Sequence, residues 1–192
     1  MNKIFYVLLF SLVIPVTSFA IDDNNSSIKW KGTKSTGSFH DGLISVNTSL
    51  LQIENNKLIG GEIIIDMNSI ICTDIKDEGS NAYLVKHLKN EDFFATSIFP
   101  DAKLKINNVS LIESDDYKIE ADLTIKENTH PISFVANIVI NEGIGLASGY
   151  LQIDRSKYGI KYKSKSWFPD IGDRFINDTF ELYFNLLSSE IK

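Results

Sequence analysis

The chain has 192 residues, of which 43% are hydrophobic, 11% aromatic and 23% charged, an ordinary globular composition that excludes collagen-like, low-complexity and disordered chains. Its formal net charge is −6, and beyond the first twenty residues 18 basic side chains face 25 acidic ones. That balance argues against a nucleic-acid partner, which needs Lys and Arg to displace phosphate counterions, and against adhesion to an anionic membrane.

At the N-terminus, Met1-Asn2-Lys3 carries one positive charge, and Ile4 to Val16 is apolar apart from Ser11 and Pro15. Ser18 and Ala20 then place small residues at the −3 and −1 positions of a cut after Ala20. These features predict a secretory signal over residues 1–20 and a periplasmic or secreted protein. The apolar run is shorter than the roughly 20 residues a membrane span requires. Residues 21–192 are then expected to form one domain with no membrane span.

Asp22 to Ser27 is polar and is expected to fray. Beyond it the hydrophobic period is two. Strands are predicted over 28–34, 42–50, 58–68, 102–106, 117–126, 132–140, 146–155 and 179–186. In the clearest case Tyr117, Ile119, Ala121, Leu123 and Ile125 alternate with Lys118, Glu120, Asp122, Thr124 and Lys126. Turns fall at Glu54-Asn55-Asn56, Ser114-Asp115-Asp116 and Asn141-Glu142-Gly143, and no proline is expected in the middle of a strand. Asp77 to Asn90 breaks the pattern and reads as a helix, with Ala82, Leu84, Val85 and Leu88 apolar and Lys86 and Lys89 near its end. About eight antiparallel strands joined by tight turns predict an all-β sandwich or barrel.

Six segments in order bear a family resemblance. They are Trp30 to Gly42 (WKGTKSTGSFHDG), Gly60 to Ile70 (GGEIIIDMNSI), His87 to Phe94 with Phe99-Pro100-Asp101-Ala102, Leu123 to Lys126 with Thr129 to Phe134, Ile153 to Ile160 (IDRSKYGI), and Ile176 to Leu182 (INDTFEL). Together they resemble a YceI-like domain over nearly the whole mature chain. One departure is Glu127, where the family's hairpin carries glycine, which leaves the local turn conformation open. The resemblance implies an extended eight-stranded antiparallel lipocalin-like barrel with one short helix. It also implies export and an apolar tunnel that holds an isoprenoid or similar lipid. It implies no established catalysis and no cofactor.

The apolar faces fit such a tunnel. Ile63, Ile65 and Met67 share a face, as do Leu104 and Ile106, Ile119 and Leu123, Phe134 and Ile138, Leu151 and Ile153, and Leu182 and Phe184. A lumen lined by them cannot hydrogen-bond a sugar, but it can take a hydrocarbon chain. About a dozen buried carbons would contribute on the order of 10 kcal/mol before ordering costs. Alternatively the same side chains fill the interior and leave no void.

Arg155 ends the apolar row Ala147, Gly149, Leu151, Ile153, and a guanidinium there needs an acceptor. Three readings stay open: a contact with a polar or anionic lipid head at one mouth, a structural ion pair with a carboxylate such as Asp66 or Asp154, or a strand end that reaches water. His40, His87 and His130 lack ligand spacing, so no metal site is expected, and His87 reads as a hydrogen-bonded residue at a helix–barrel contact. Cys72, after Ile70 and Ile71, reads as a small apolar residue. The expected function is that of a non-enzymatic exported carrier or store for an isoprenoid, quinone or fatty-acyl lipid, with a homodimer open as an assembly. The alternatives are an enzyme acting on such a lipid and a stress-related interaction module with a filled interior.

Overall fold

The structure, a computed structural model, describes residues 15–191. Most of the expected signal segment, residues 1–14, lies outside the described residues. Nine strands form one antiparallel sheet: β1 (Thr17–Ile21), β2 (Ser27–Lys34), β3 (Phe39–Glu54), β4 (Lys57–Cys72), β5 (Asp101–Glu113), β6 (Asp116–Ile125), β7 (Asn128–Asn141), β8 (Ile144–Asp154) and β9 (Ile176–Glu190). Neighbours run β1-β3-β2-β9-β8-β7-β6-β5-β4, and β4 returns to β3 to close the ring. β1 and β2 both lie between β3 and β9, one towards each end of that gap, so they act as one interrupted stave. The result is the closed eight-stave barrel that the family resemblance implies, with one helix, α1 (Glu78–Lys89), across one end. β3 and β4 have 16 residues each, roughly 50 Å of extended chain, which accounts for the elongated barrel.

Alternation builds the wall as expected. In β6, Ile119, Ala121, Leu123 and Ile125 are buried and the residues between them are not. The inward side chains form two clusters. One, near α1, includes Trp30, Met67, Ile70, Leu88, Phe93 and Ile153. The other, at the far end, includes Phe19, Val46, Ile63, Ile106, Ile119 and Ile138. Asp77 caps α1 by accepting the Ser80 N–H at 2.8 Å, and Asn90 closes its C-terminus.

Two local expectations are corrected, and the turn conformation left open at Glu127 is answered. Asp22 to Ser27 does not fray. Asp22 caps a short 3-10 turn, Asp23–Asn25, and Asp23 Oδ1 accepts the Val46 N–H at 2.8 Å. Pro131 lies inside a strand, paired with Asp122 of β6. It is tolerated because β7 pairs with β8 only from Val135 onward, so the missing N–H breaks no second ladder. In the two-residue turn between Ile125 and Asn128 the left-handed residue is Lys126, at φ +57°, and not Glu127. In β4, Gly61 (φ +142°) pairs with Leu51 and lies against the Leu50 carbonyl, where a Cβ would come within 2.5 Å of the oxygen.

The cut expected after Ala20 falls inside β1, whose Phe19 is 3% exposed. Phe19→Ala in the full chain is therefore expected to lower unfolding stability by about 3–5 kcal/mol, as a buried aromatic truncation does. Urea unfolding checks this. A chain starting at Ile21 should show a loss at least as large, and equal stability of all three proteins would mean that β1 does not pack as described.

Candidate functional site

A cavity of about 600 Å³ runs along the barrel axis. All thirteen apolar residues singled out from the sequence line it: Ile63, Ile65 and Met67 from β4, Leu104 and Ile106 from β5, Ile119 and Leu123 from β6, Phe134 and Ile138 from β7, Leu151 and Ile153 from β8, and Leu182 and Phe184 from β9. The interior is therefore not filled by its own side chains. Its size falls in the range of pockets that enclose a small organic ligand.

Further lining residues were legible by the same alternation, notably Phe180 and Leu186 on the inward face of β9. Others were not. Ile70 points inward although it is out of phase with Met67, because an irregularity intervenes. Asn68 N–H donates to Asp66 Oδ1 at 2.8 Å, the Ser69 hydroxyl donates to the Asp66 carbonyl at 2.6 Å, and Ser69 Oγ accepts the Ser45 N–H at 2.8 Å. Leu84, Leu88, Phe93 and Phe94 reach the cavity from α1 and the turn after it, a packing that no strand period reports.

Polar groups gather at the α1 end. Thr33, Lys34, His40, Ser80, Tyr83, His87, Tyr162, Lys163 and Asn177 line the cavity there. β2–β9 pairing sets Lys34 beside Ile176, whose N–H donates to the Lys163 carbonyl at 2.9 Å, so residues far apart in sequence share one rim. Among the described residues no carboxylate lines the cavity, and neither Lys34 nor Lys163 is in an ion pair. His40 Nδ1 lies 2.9 Å from Asp74 Oδ2, and His87 Nε2 lies 3.0 Å from Asp92 Oδ2. His87 also packs among Tyr83, Phe93 and Tyr162, with ring centroids 4.6–6.1 Å away, the helix–barrel contact that its position predicts. His130 lies elsewhere, with Nε2 2.9 Å from the Lys157 carbonyl oxygen. The described residues hold no cluster of three or more His, Cys, Asp or Glu able to bind a metal ion.

Cys72 is buried and its thiol donates to Asp74 Oδ1 at 3.2 Å. Burial pushes the thiol up from its ordinary pKa, so it stays protonated. Burial opposes ionisation of Asp74 as well, but donors from Asp41, His40 and Cys72 outweigh it and hold the carboxyl below its ordinary value.

Arg155 lies at the end of the cavity and is 4% exposed. Its donors are committed to the protein. Nε donates to the Asn177 carbonyl at 3.2 Å, Nη1 to those of Ile160 and Tyr162 at 3.2 and 2.9 Å, and Nη2 to that of Ile176 at 3.0 Å. Nη2 also faces Asp178 Oδ1 at 3.3 Å, so the ion-pair partner is Asp178, which the sequence did not single out. Burial would raise the Asp178 pKa, but the Ser164 and Ser166 hydroxyls, the Ser166 N–H and the Arg155 charge outweigh it and hold the carboxyl below its ordinary value.

Fold and cavity together define an antiparallel barrel with an apolar channel open beside a helix. The sequence profile of the YceI-like domain matches residues 19–187, and the chain belongs to that family. A UPF0312 protein of Photorhabdus laumondii is 30% identical over 89 residues, 46% of this chain and 45% of the relative, so the match spans less than half of that relative's length. Among solved structures, Burkholderia cenocepacia BcnA superposes with a TM-score of 0.67 at 18% identity, covering 87% of this chain and 98% of that one. A polyisoprenoid-binding domain from Saccharophagus degradans gives a TM-score of 0.66 at 14% identity, covering 91% and 99%. The Campylobacter jejuni YceI protein gives 0.55 at 15% identity, covering 100% and 92%. At these identities the likeness is one of fold.

Arg155→Met is expected to destabilise the fold by about 3–5 kcal/mol, because it leaves four backbone carbonyls without their donor and Asp178 without its counter-charge; chemical denaturation measures this. Asp178 has a lower pKa folded than unfolded, so its contribution is complete above the ordinary carboxylate range near pH 4 and is lost as pH falls through the folded value. Asp178→Asn should accordingly lose less stability than the parent between about pH 5 and pH 2. Parallel pH–stability curves for the two would contradict the assignment.

Proposed function

We propose that this chain is an exported, non-catalytic protein that holds an isoprenoid or similar long-chain lipid in its barrel, as a carrier or store. The observation that carries this reading is the cavity of about 600 Å³, apolar along its length and polar at one rim. Branched aliphatic and aromatic walls offer a bound chain dispersion and burial but no hydrogen bonds, so they favour hydrocarbon over sugars or nucleotides. Kinship with YceI-like proteins and likeness to a polyisoprenoid-binding domain support the same ligand class. Export rests on the positive charge of Lys3 and the apolar run Ile4 to Val16; a cut after Ala20 would take Phe19 out of the core and is not part of the proposal.

Since the Arg155 donors are taken up by backbone and Asp178, the head-group contact passes to Lys34 and Lys163, two rim lysines that form no ion pair among the described residues. An anionic head such as a phosphate suits them, because among the described residues no carboxylate on the cavity wall competes.

Native mass spectrometry of protein purified from its own host, followed by solvent extraction, should recover a lipid at near-stoichiometric level. Ala147→Phe, which pushes a ring into the channel from β8, is expected to cut uptake of a prenyl lipid at least about tenfold. Lys34→Gln with Lys163→Gln should weaken retention of a prenyl phosphate by about tenfold and leave a prenyl alcohol nearly unaffected. Ligand-free protein that also takes up no added prenyl lipid would refute the carrier.

A further inference from the structure

The segment between β8 and β9 has a chemistry unlike the rest of the surface. Over Lys161–Phe168 the sequence is KYKSKSWF, with three lysines, three aromatic residues and no acid. Each lysine of the set lies over a ring: Lys161 Nζ is 3.9 Å from the centroid of Trp167, Lys163 Nζ 5.5 Å from Tyr162, and Lys165 Nζ 4.9 Å from Phe175. Trp167 and Phe168 nonetheless stay 46% and 50% exposed. The segment is held in place. The Arg155 guanidinium grips the carbonyls of Ile160 and Tyr162, the Ser166 hydroxyl donates to Asp178 Oδ2 at 2.6 Å, and the Phe168 N–H donates to the Ser164 carbonyl at 3.0 Å.

This segment forms part of the cavity rim. Tyr162 and Lys163 line the cavity, and Tyr83 of α1, 73% exposed, stands on the same rim beside His87. Of the nearby acids, Asp178 is neutralised by Arg155, Asp74 and Asp92 face histidines, Asp154 accepts the Ser156 N–H and hydroxyl, and Asp170 and Asp173 come after the aromatic pair.

Exposed tryptophan and phenylalanine interleaved with lysine suit a bilayer interface, where the rings enter the headgroup layer and the ammonium groups meet lipid phosphates. The net charge of −6 opposes this at long range, as the composition argues against membrane adhesion. At physiological salt, however, charges are screened beyond about 8 Å, so the local patch governs contact and the distant acids do not. We propose that Lys161–Phe168 docks the open end of the barrel on the surface of an anionic lipid bilayer. The docking is separate from the tunnel's occupancy and does not require that the tunnel hold lipid.

The test is flotation of the full chain with two kinds of vesicle, one of phosphatidylglycerol and phosphatidylcholine in equal parts, the other of phosphatidylcholine alone. The chain is expected to float with the first and not the second, and to be released by high salt. Lys161→Ser with Lys165→Ser, neither of which lines the cavity, should reduce binding about tenfold. Trp167→Ser with Phe168→Ser should reduce it comparably, and far-UV circular dichroism should report an unchanged fold. Should either double variant fail to fold, quenching of the parent's tryptophan emission by brominated phosphatidylglycerol vesicles decides the matter, since Trp30 is buried in the barrel. Equal binding to both vesicles, full binding by the folded variants, absence of quenching, or capture by polyglutamate but not by vesicles would each overturn the proposal. Lipid uptake is not read in any arm, so its failure and that of docking are distinguishable.

Discussion

Ring closure is the constraint on which the rest of the molecule depends. Once β4 returns to β3, each stave is hydrogen-bonded on both sides along part of its length, and strand number and tilt set the radius. Inward side chains cannot collapse across the axis without breaking ladder hydrogen bonds. With isoleucine, leucine and alanine on most inward positions, opposite walls do not meet and a channel remains. The interrupted stave made of β1 and β2 completes this ring, which is why Phe19, inside the segment that the sequence reads as a signal, is a core residue.

The end beside α1 is organised by a buried charge. Removing a guanidinium from water is costly, and Arg155 offsets the cost with four carbonyls and one carboxylate. Those acceptors belong to the segment after β8 and to the start of β9, so satisfying the charge also positions the rim. Tyr162, Lys163 and the Trp167 region take their places from it. An arginine inside an apolar barrel is therefore explained by backbone organisation.

Charge acts on two scales. The acidic balance of the whole chain predicts weak attraction for polyanions at long range, whereas contact is decided within a Debye length. Three lysines among aromatic side chains at the rim reverse the sign locally, and the channel wall carries no carboxylate among the described residues. Both features concern the end of the channel beside α1.

Much of this was legible in the residues. Period-two alternation in β6 and β9 named the inward faces, Asp77 and Asn90 bounded the helix, and the thirteen inward residues lie where the pleat puts them. Such features are local: a strand's faces and a helix's caps follow from neighbours along the chain. The slip that turns Ile70 inward depends on Ser45 and Ser69 meeting across two strands. The partner of Arg155 is Asp178, and Lys34 meets Lys163 on one rim, because β2 pairs with β9. Whether inward side chains touch or leave a channel is likewise set by the circumference of a closed ring. Circumference is a property of all the staves together, so only the tertiary structure could decide it.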